Sequence, residues 1–444
     1  MREFFHFDEL GTNYKTEIIA GATTFITMAY IVIVNPLILA NAGLPIGPST
    51  VATIFVAFIG TLLMGLYAKR PFAVAPYMGE NAFIAATVVG VLGYTWQEGL
   101  AAVFIGGVVF IVLTLTKIRS RLAEAIPESM KYSFVVGIGL FLTFIGLNDI
   151  GLVTRGPEGG SPVVMGDVTS LPVILGVIGF LIIAVLMLMK VRGAILISVI
   201  FITLLANICV KYFGATIDSL QPLTGFPIGL PPDPSPIVFK LDFGRVLTWG
   251  FIPVLLVVFL MDFLDTMGTL IGVSAKANLL DENGNLPEIE KPMLADAVAT
   301  VVGSVAGTTT SGTFIESAAG IEEGGKSGFA SVVTAFLFLS LLFFSKFVEA
   351  VPAFAYGPAL IIVGILMIEP ITRINFDDIT ELIPAFFIIV LISFTYNPGT
   401  GMTSGFLLYP TLKVFAGRAK EVSAPMWIFG LLSLLYFVFH HFMK

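Results

Sequence analysis

Two aspartates, Asp262 and Asp265, sit inside the apolar run VVFLMDFLDTMGTLIGV. A spacing of three puts both carboxylates on one helical face, and Thr266 and Thr269 continue the polar stripe. A carboxylate at mid-membrane costs at least ~2.5–3.5 kcal/mol on insertion scales. An acid there is either a structural hydrogen-bond partner of a neighbouring helix or a functional group. Two further acids stand at breaks in hydrophobic sequence: Glu80 in AVAPYMGENAFIA (73–85) and Glu316 in AGTTTSGTFIESAAG (306–320). Brought together, Asp262, Asp265, Glu316 and Glu80 would exchange protons as one coupled cluster. Carboxylates also accept hydrogen bonds from ring N–H and exocyclic amine groups. The same residues can therefore bind a small polar solute and link that binding to protonation, and the sequence does not divide the two roles among them.

The elements that position these acids follow from composition. The 444 residues are 57% hydrophobic and only 12% charged, with a mean hydropathy of +0.97. A soluble surface needs about twice that charged fraction, so most of this outer surface faces lipid. The fold class expected is an all-α polytopic membrane protein. A net charge of −7, with basic residues scattered singly, argues against nucleic acid as a partner. The single cysteine, Cys209, excludes a disulfide framework within one chain. Three histidines, two of them His440 and His441 near the C-terminus, give no metal site. GIEEGGKSG (320–328) lacks the spacing of a phosphate loop and reads as a helix-ending turn with Glu322, Glu323 and Lys326 in solvent. With no nucleophile–base pair and no cofactor loop, neither an enzyme nor a bound cofactor is expected. DENGNLPEIEK (281–291) reads as an exposed loop, and Gly268 with Gly272 as a site of close helix packing. The N-terminal sequence has acidic residues and no early apolar core, so it does not read as a cleavable signal.

A span needs about 20 apolar residues. Candidates run near 17–42, 49–68, 98–116, 127–150, 171–190 and 193–212, then 246–273, 291–306, 328–347, 351–372, 376–395, 400–417 and 424–442. That is one span too many for two equal halves, which leaves one of the last three as interfacial or re-entrant. The polar stretch 213–245, with LPPDPSP, divides the halves. Segments 73–92 and 307–322 each begin with sequence unsuited to a helix and then turn helical at a glutamate. Paired, interrupted elements in two related halves mark a transporter site at the repeat interface. Broken backbone inside a membrane is tolerated only where it lines a cavity or is buried in protein. The half-helices that follow would aim positive dipole ends at that cavity. Basic residues set the orientation. Lys69, Arg70, Lys117, Arg119, Arg121, Lys190, Arg192, Lys276, Lys291, Lys326 and Arg373 recur after alternate spans, which places the N-terminus in the cytoplasm. Arg155, Lys211, Lys240, Arg245 and Lys346 fall on the other side.

Four ordered motifs, GATTFITMAYIVIVNP, AP-x-MG-x-NA, DFLDTMGTLIGV and FIESAAGIEEGGKSG, span the chain from about residue 8 onward. On these the sequence resembles the AzgA-like adenine–guanine–hypoxanthine permeases, a branch of the nucleobase–cation symporters related to uracil and xanthine permeases. The resemblance implies the uracil-permease fold: about fourteen membrane segments in two inverted seven-segment repeats, with two short strand-and-broken-helix elements at the midplane. It implies a first repeat over 1–212 (core segments 17–116, gate segments 127–212), a connector at 213–245, and a second repeat over 246–444 (core 246–347, gate 351–444). It implies import of a purine nucleobase with a proton, by an elevator-type motion in the cell membrane, in a chain that forms a homodimer. Asp262, Asp265 and Glu316 would hold the base, with Tyr77, Met78, Gly79, Thr313 and Phe314 lining it. Many relatives read APGMGLNA where this chain reads APYMGENA, so Tyr77 and Glu80 depart from the pattern. Tyr77 would narrow or stack on the site. Glu80 would add a proton or substrate contact, or else face a gap and pair with a helix terminus. The alternatives are a uracil or xanthine carrier, or an inorganic-anion carrier of the same fold.

Overall fold

The computed structural model describes residues 1–116, 126–217, 220, 228–281 and 286–442. Lys117, Arg119 and Arg121, parts of the 213–245 connector, positions 282–285 of the DENGNLPEIEK stretch, and the side chains of His440 and His441 lie outside the described residues.

The chain folds as a helical membrane protein. Among the described residues, nine helices are long and apolar enough to cross a bilayer. The first expected span is two helices, α1 (Tyr14–Met28) and α2 (Ile31–Ala40). Pro36 lies within α2; it cannot donate to the ladder, and its ring crowds the carbonyl one turn earlier. The turn between the helices closes instead with shorter-range bonds, Val32 N–H to Ala29 O at 3.2 Å and Ile33 N–H to Tyr30 O at 3.0 Å. Next come α3 (Ile46–Leu63), β1 (Val74–Pro76) and α4 (Met78–Ala82), which runs on as a widened π-helical stretch over Phe83–Val91. Then follow α5 (Trp96–Leu115), α6 (Glu128–Ile150), a small hairpin of β2 (Val153–Arg155) and β3 (Val163–Met165), α7 (Leu171–Leu188) and α8 (Ala194–Phe213).

The second half opens with α9 (Ile252–Lys276), which carries the aspartates, and α10 (Glu290–Ala306). It continues with β4 (Ser311–Thr313), α11 (Ser317–Glu322), α12 (Gly328–Ser340), α13 (Ala353–Leu366), α14 (Ile379–Phe394), α15 (Pro398–Phe415) and α16 (Ala424–Phe442). Packing sorts these helices into two groups. In the first, α10 lies on α5 and α3, α12 on α1 and α3, and α9 on α5; in the second, α13 lies on α6 and α7, and α14 on α6 and α15. Thinner contacts, such as α4 on α6 and α9 on α15, join the groups. The outer faces of α7 and α8 stay apolar and uncovered, with Leu181, Val185, Phe201 and Leu204 exposed, as a lipid-facing surface requires.

One end of the bundle collects much of the basic sequence. Lys69 lies 3.2 Å from His6, Lys326 donates to Leu10 O at 3.2 Å, and Arg70 donates to Pro287 O at 2.8 Å. Arg192 pairs with Glu323, and Lys276 with Glu322 at 3.7 Å, so the GIEEGGKSG stretch is a turn carrying ion pairs. The expected tight crossing at Gly268 and Gly272 is not found. Nothing lies within 4 Å of a Cβ placed on Gly268, and Gly272 meets only Ile315 at 3.5 Å. The reason is their place on α9, where Gly268 is exposed. Helix approach depends on glycine elsewhere: Gly107 on α5 sets its backbone where a Cβ would meet Val301 of α10 at 2.9 Å.

Candidate functional site

The two broken elements meet. Strands β1 and β4 pair antiparallel, with Val74 opposite Thr313, Ala75 opposite Gly312 and Pro76 opposite Ser311. Two strands of three residues cannot satisfy their own backbone inside an apolar bundle, so threonines on the flanking helices complete the pairing. Thr61 of α3 donates to Val74 O (3.0 Å) and accepts from Val74 N–H (2.9 Å). Thr300 of α10 does the same for Ser311, at 3.0 Å each way. Asp296, also on α10 and fully buried, accepts from Thr313 N–H and from the Thr313 hydroxyl, each at 3.1 Å. Tyr77 N–H reaches Thr310 O at 3.0 Å, and Phe314 N–H reaches Ala73 O at 2.9 Å.

Tyr77 closes over this ladder. Its ring lies flat on Gly312, where any Cβ would strike it, and runs parallel to Phe314 with centroids 6.0 Å apart. The Tyr77 hydroxyl donates to Thr313 O at 3.2 Å and lies 3.0 Å from Thr269 on α9. Past Tyr77, helix α4 begins at Met78. The amides of Met78, Gly79 and Glu80 belong to its first turn, which has no intrahelical acceptors for them. A Cβ on Gly79 would meet Ile138 of α6 at 2.9 Å, so this glycine lets the second helix group close onto the first.

Glu80 is 2% exposed, and neither carboxyl oxygen finds a partner on another residue. It lines a narrow cleft shared with Asp265 and Met261 of α9, with Phe134, Val135 and Ile138 of α6, and with Met367. Asp262 is buried and lies in electrostatic reach of Glu80, as Asp265 does. Asp265 is half-buried. Glu316 is turned elsewhere: its carboxylate accepts from the Tyr30 hydroxyl at 2.6 Å, at the break between α1 and α2. Of the sequence candidates, the structure joins Glu80 with Asp265 across a cleft, and Tyr77 with Thr313 and Phe314 on the strand pair. Glu316 stands on the α1 side of the same element. Glu80 lines the cleft from the first turn of α4.

Several partners were not singled out from sequence. Tyr30 and Asn35 lie inside the GATTFITMAYIVIVNP motif, Asn81 inside the Glu80 motif, and Asp296 in the apolar run MLADAVATVVG. Asn35 donates to Thr53 (2.7 Å) and Thr308 (3.0 Å), and Asn81 donates to Asn35, all of them buried. The rule that pointed to Asp262, an acid in an apolar span, applies equally to Asp296. Tyr30 left no such mark, because a tyrosine in a span is ordinary.

The sequence model of the xanthine and uracil permeases, described as "Permease family", matches residues 15–403. The chain belongs to that permease family. The adenine permease AdeP of Escherichia coli K12 is 37% identical over 441 residues, covering 99% of this chain and 96% of AdeP. The guanine/hypoxanthine permease PbuO of Bacillus subtilis is 40% identical over 438 residues, covering 97% of this chain and 99% of PbuO. The transmembrane domain of the cyanobacterial bicarbonate transporter BicA superposes with a TM-score of 0.65 at 16% identity, over 88% of this chain and 97% of that one. That likeness shows the fold alone. As a member of this family the protein is a multi-pass membrane permease and not an enzyme.

Proposed function

We propose that this permease imports purine nucleobases (adenine, guanine or hypoxanthine) by proton symport across the cell membrane, with its N-terminus in the cytoplasm. The observation that carries the reading is the meeting of two carboxyls, Glu80 and Asp265, in one cleft at the seam between the helix groups. Relatives that match end to end, and are named for purines, support the substrate class.

In this reading the first group, with its strands, is the core (17–116 and 246–347), and the second is the gate (127–212 and 351–444), in two inverted repeats of about seven segments each. The matching roles of Thr61 on β1 and Thr300 on β4 support such a repeat. An elevator motion slides the core along α6, where Gly79 permits close contact. Asp262, Asp265 and Glu316 hold the base. Tyr77, Met78, Gly79, Thr313 and Phe314 line it with backbone groups and flat rings, and the acids, Glu80 among them, carry the proton. The gathering of basic residues near the N-terminal segment supports its cytoplasmic placement. The family resemblance also implies a homodimer, which crosslinking in native membranes would test. An anion carrier is disfavoured by acids at the cleft, although BicA shares the fold.

Uptake of radiolabelled adenine, guanine, hypoxanthine, xanthine and uracil into proteoliposomes, with and without an inward proton gradient, tests this. Purine uptake stimulated by the gradient is expected. Preference for uracil or xanthine would replace the substrate class. No saturable uptake of any base by folded protein would overturn the reading.

A further inference from the structure

Glu80 lies in an unusual setting for a buried acid. A carboxyl removed from water with no partner on another residue loses its hydration and gains nothing in return. It is held on the first turn of α4 by the strand pair behind it. The gate-side wall it faces, Phe134, Val135 and Ile138 of α6 together with Met367, is apolar and supplies no donor. The titratable groups near it are Asp262 and Asp265 on α9, which in carboxylate form accept hydrogen bonds and do not donate them. Among the described residues none gives Glu80 a donor in this cleft, and a ligand that brings donors is graded by its hydrogen-bonding edge.

We infer that Glu80 selects among bases by that edge, favouring the one that offers two adjacent donors. The inference rests on the nucleobase reading above and deepens it. Guanine presents a ring N–H beside an exocyclic amine, two parallel donors that match the two oxygens of one carboxylate. Hypoxanthine lacks the amine and offers one donor. Xanthine and uracil flank their imide N–H with a carbonyl on each side, so on that edge the second carboxylate oxygen meets an acceptor. Adenine sets a donor beside a ring acceptor, which mismatches a carboxylate. A glutamine at this position presents one donor and one acceptor. It suits the N–H/carbonyl edge of guanine and hypoxanthine equally, and the amine/ring-nitrogen edge of adenine.

The test is competition by each base against labelled guanine, measured as equilibrium binding to the purified full-length protein at one pH, for wild type, Glu80→Gln and Glu80→Leu. Wild type is expected to prefer guanine over hypoxanthine by about ten- to a hundredfold, the range of one charge-assisted hydrogen bond. Glu80→Gln, nearly isosteric and therefore the safer fold, should bring that ratio to near one and improve adenine relative to guanine. Glu80→Leu should weaken guanine most and flatten the series. An unchanged order of bases in Glu80→Gln would overturn the inference while leaving base transport standing. Failure of the wild type to bind or take up any base would overturn both.

Discussion

The two broken elements look alike in sequence and differ in what they do with their glutamates. In the first, β1 leads into α4 and its π-helical extension, and Glu80 sits on the opening turn of a continuous helical run. In the second, β4 leads into α11, which lasts only six residues. Its opening amides are already used, Ser317 N–H by Phe314 O at 3.1 Å and Ala319 N–H by Glu316 O at 3.0 Å. A six-residue helix with spent amides offers little of the positive end expected of it. Glu80 faces the other helix group without a partner, whereas Glu316 is held inside its own group by Tyr30. The second acid is therefore fixed in place, and the first faces the seam without such a hold.

Removing the fixed acid should be the more damaging change. Glu316→Ala is expected to abolish saturable uptake, more than a hundredfold, with membrane expression intact. Retained wild-type uptake would show that Glu316 is dispensable and dissolve the contrast. Next in size is the strand face. Gly312→Ala drives a methyl into the Tyr77 ring and should cut transport by about fivefold to a hundredfold, through the 1–3 kcal/mol typical of overpacking. Adding Tyr77→Gly should restore much of the loss, and failure of that rescue would place the damage in the backbone of β4.

Tyr30→Phe removes the donor that holds Glu316. Losing a hydrogen bond to a charged group, worth about 1.5–3 kcal/mol, should weaken base binding about tenfold or more. Combined with Glu80→Gln the two effects should add, since the acids occupy separate settings. A coupling energy above about 0.5 kcal/mol in the double-mutant cycle would show the two elements to be one site. Smaller still, Thr61→Val and Thr300→Val each unpair one strand residue. Both should lower the thermal midpoint by similar amounts, and a large inequality would break the matched roles of the two threonines.

A control lies far from both elements. Lys413, fully buried on α15, bridges Asp378 at 3.3 Å and Glu421 at 2.9 Å, and Arg418 holds the same two acids at 2.6 Å each. Hydrogen bonding from Arg418, then from Lys413, pulls Glu421 down to about 2. For Asp378, the Thr380 hydroxyl and then Arg418 lower the carboxyl. Acids depressed in the folded state stabilise it above their ordinary range and lose that effect as pH falls through the folded value. This clamp should therefore hold unchanged from neutral pH down to about 5 and weaken only below it, toward about 2. A change in thermal midpoint between pH 8 and 6 would have to come from elsewhere, and its loss in Glu80→Gln would point to the cleft.

Much of this was legible in the residues. The spans, the acids of α9 and the two interrupted elements all follow from where polar groups are tolerated in lipid. Span edges were less so. The first span divides at Tyr30, where the helix bonds shorten, and no proline or glycine stands at that point to announce it. Gly268 and Gly272 misled for another reason: a four-residue spacing fits both a packed crossing and an open face, and only the neighbours distinguish them. Asp296 stood in an apolar span as plainly as Asp262; its role was not legible, since nothing in a linear pattern says which carboxylate will cap a strand seventeen residues away.

The sequence by itself determined that this chain lives in a membrane, and where its interrupted elements and its acids stand, because desolvation makes every buried polar group conspicuous. Only the tertiary structure decided which acids are satisfied and which are not. That depends on what lies opposite each one. Tyr30 comes to Glu316 across 286 residues, and the apolar face of α6 comes to Glu80, through packing that no local pattern encodes.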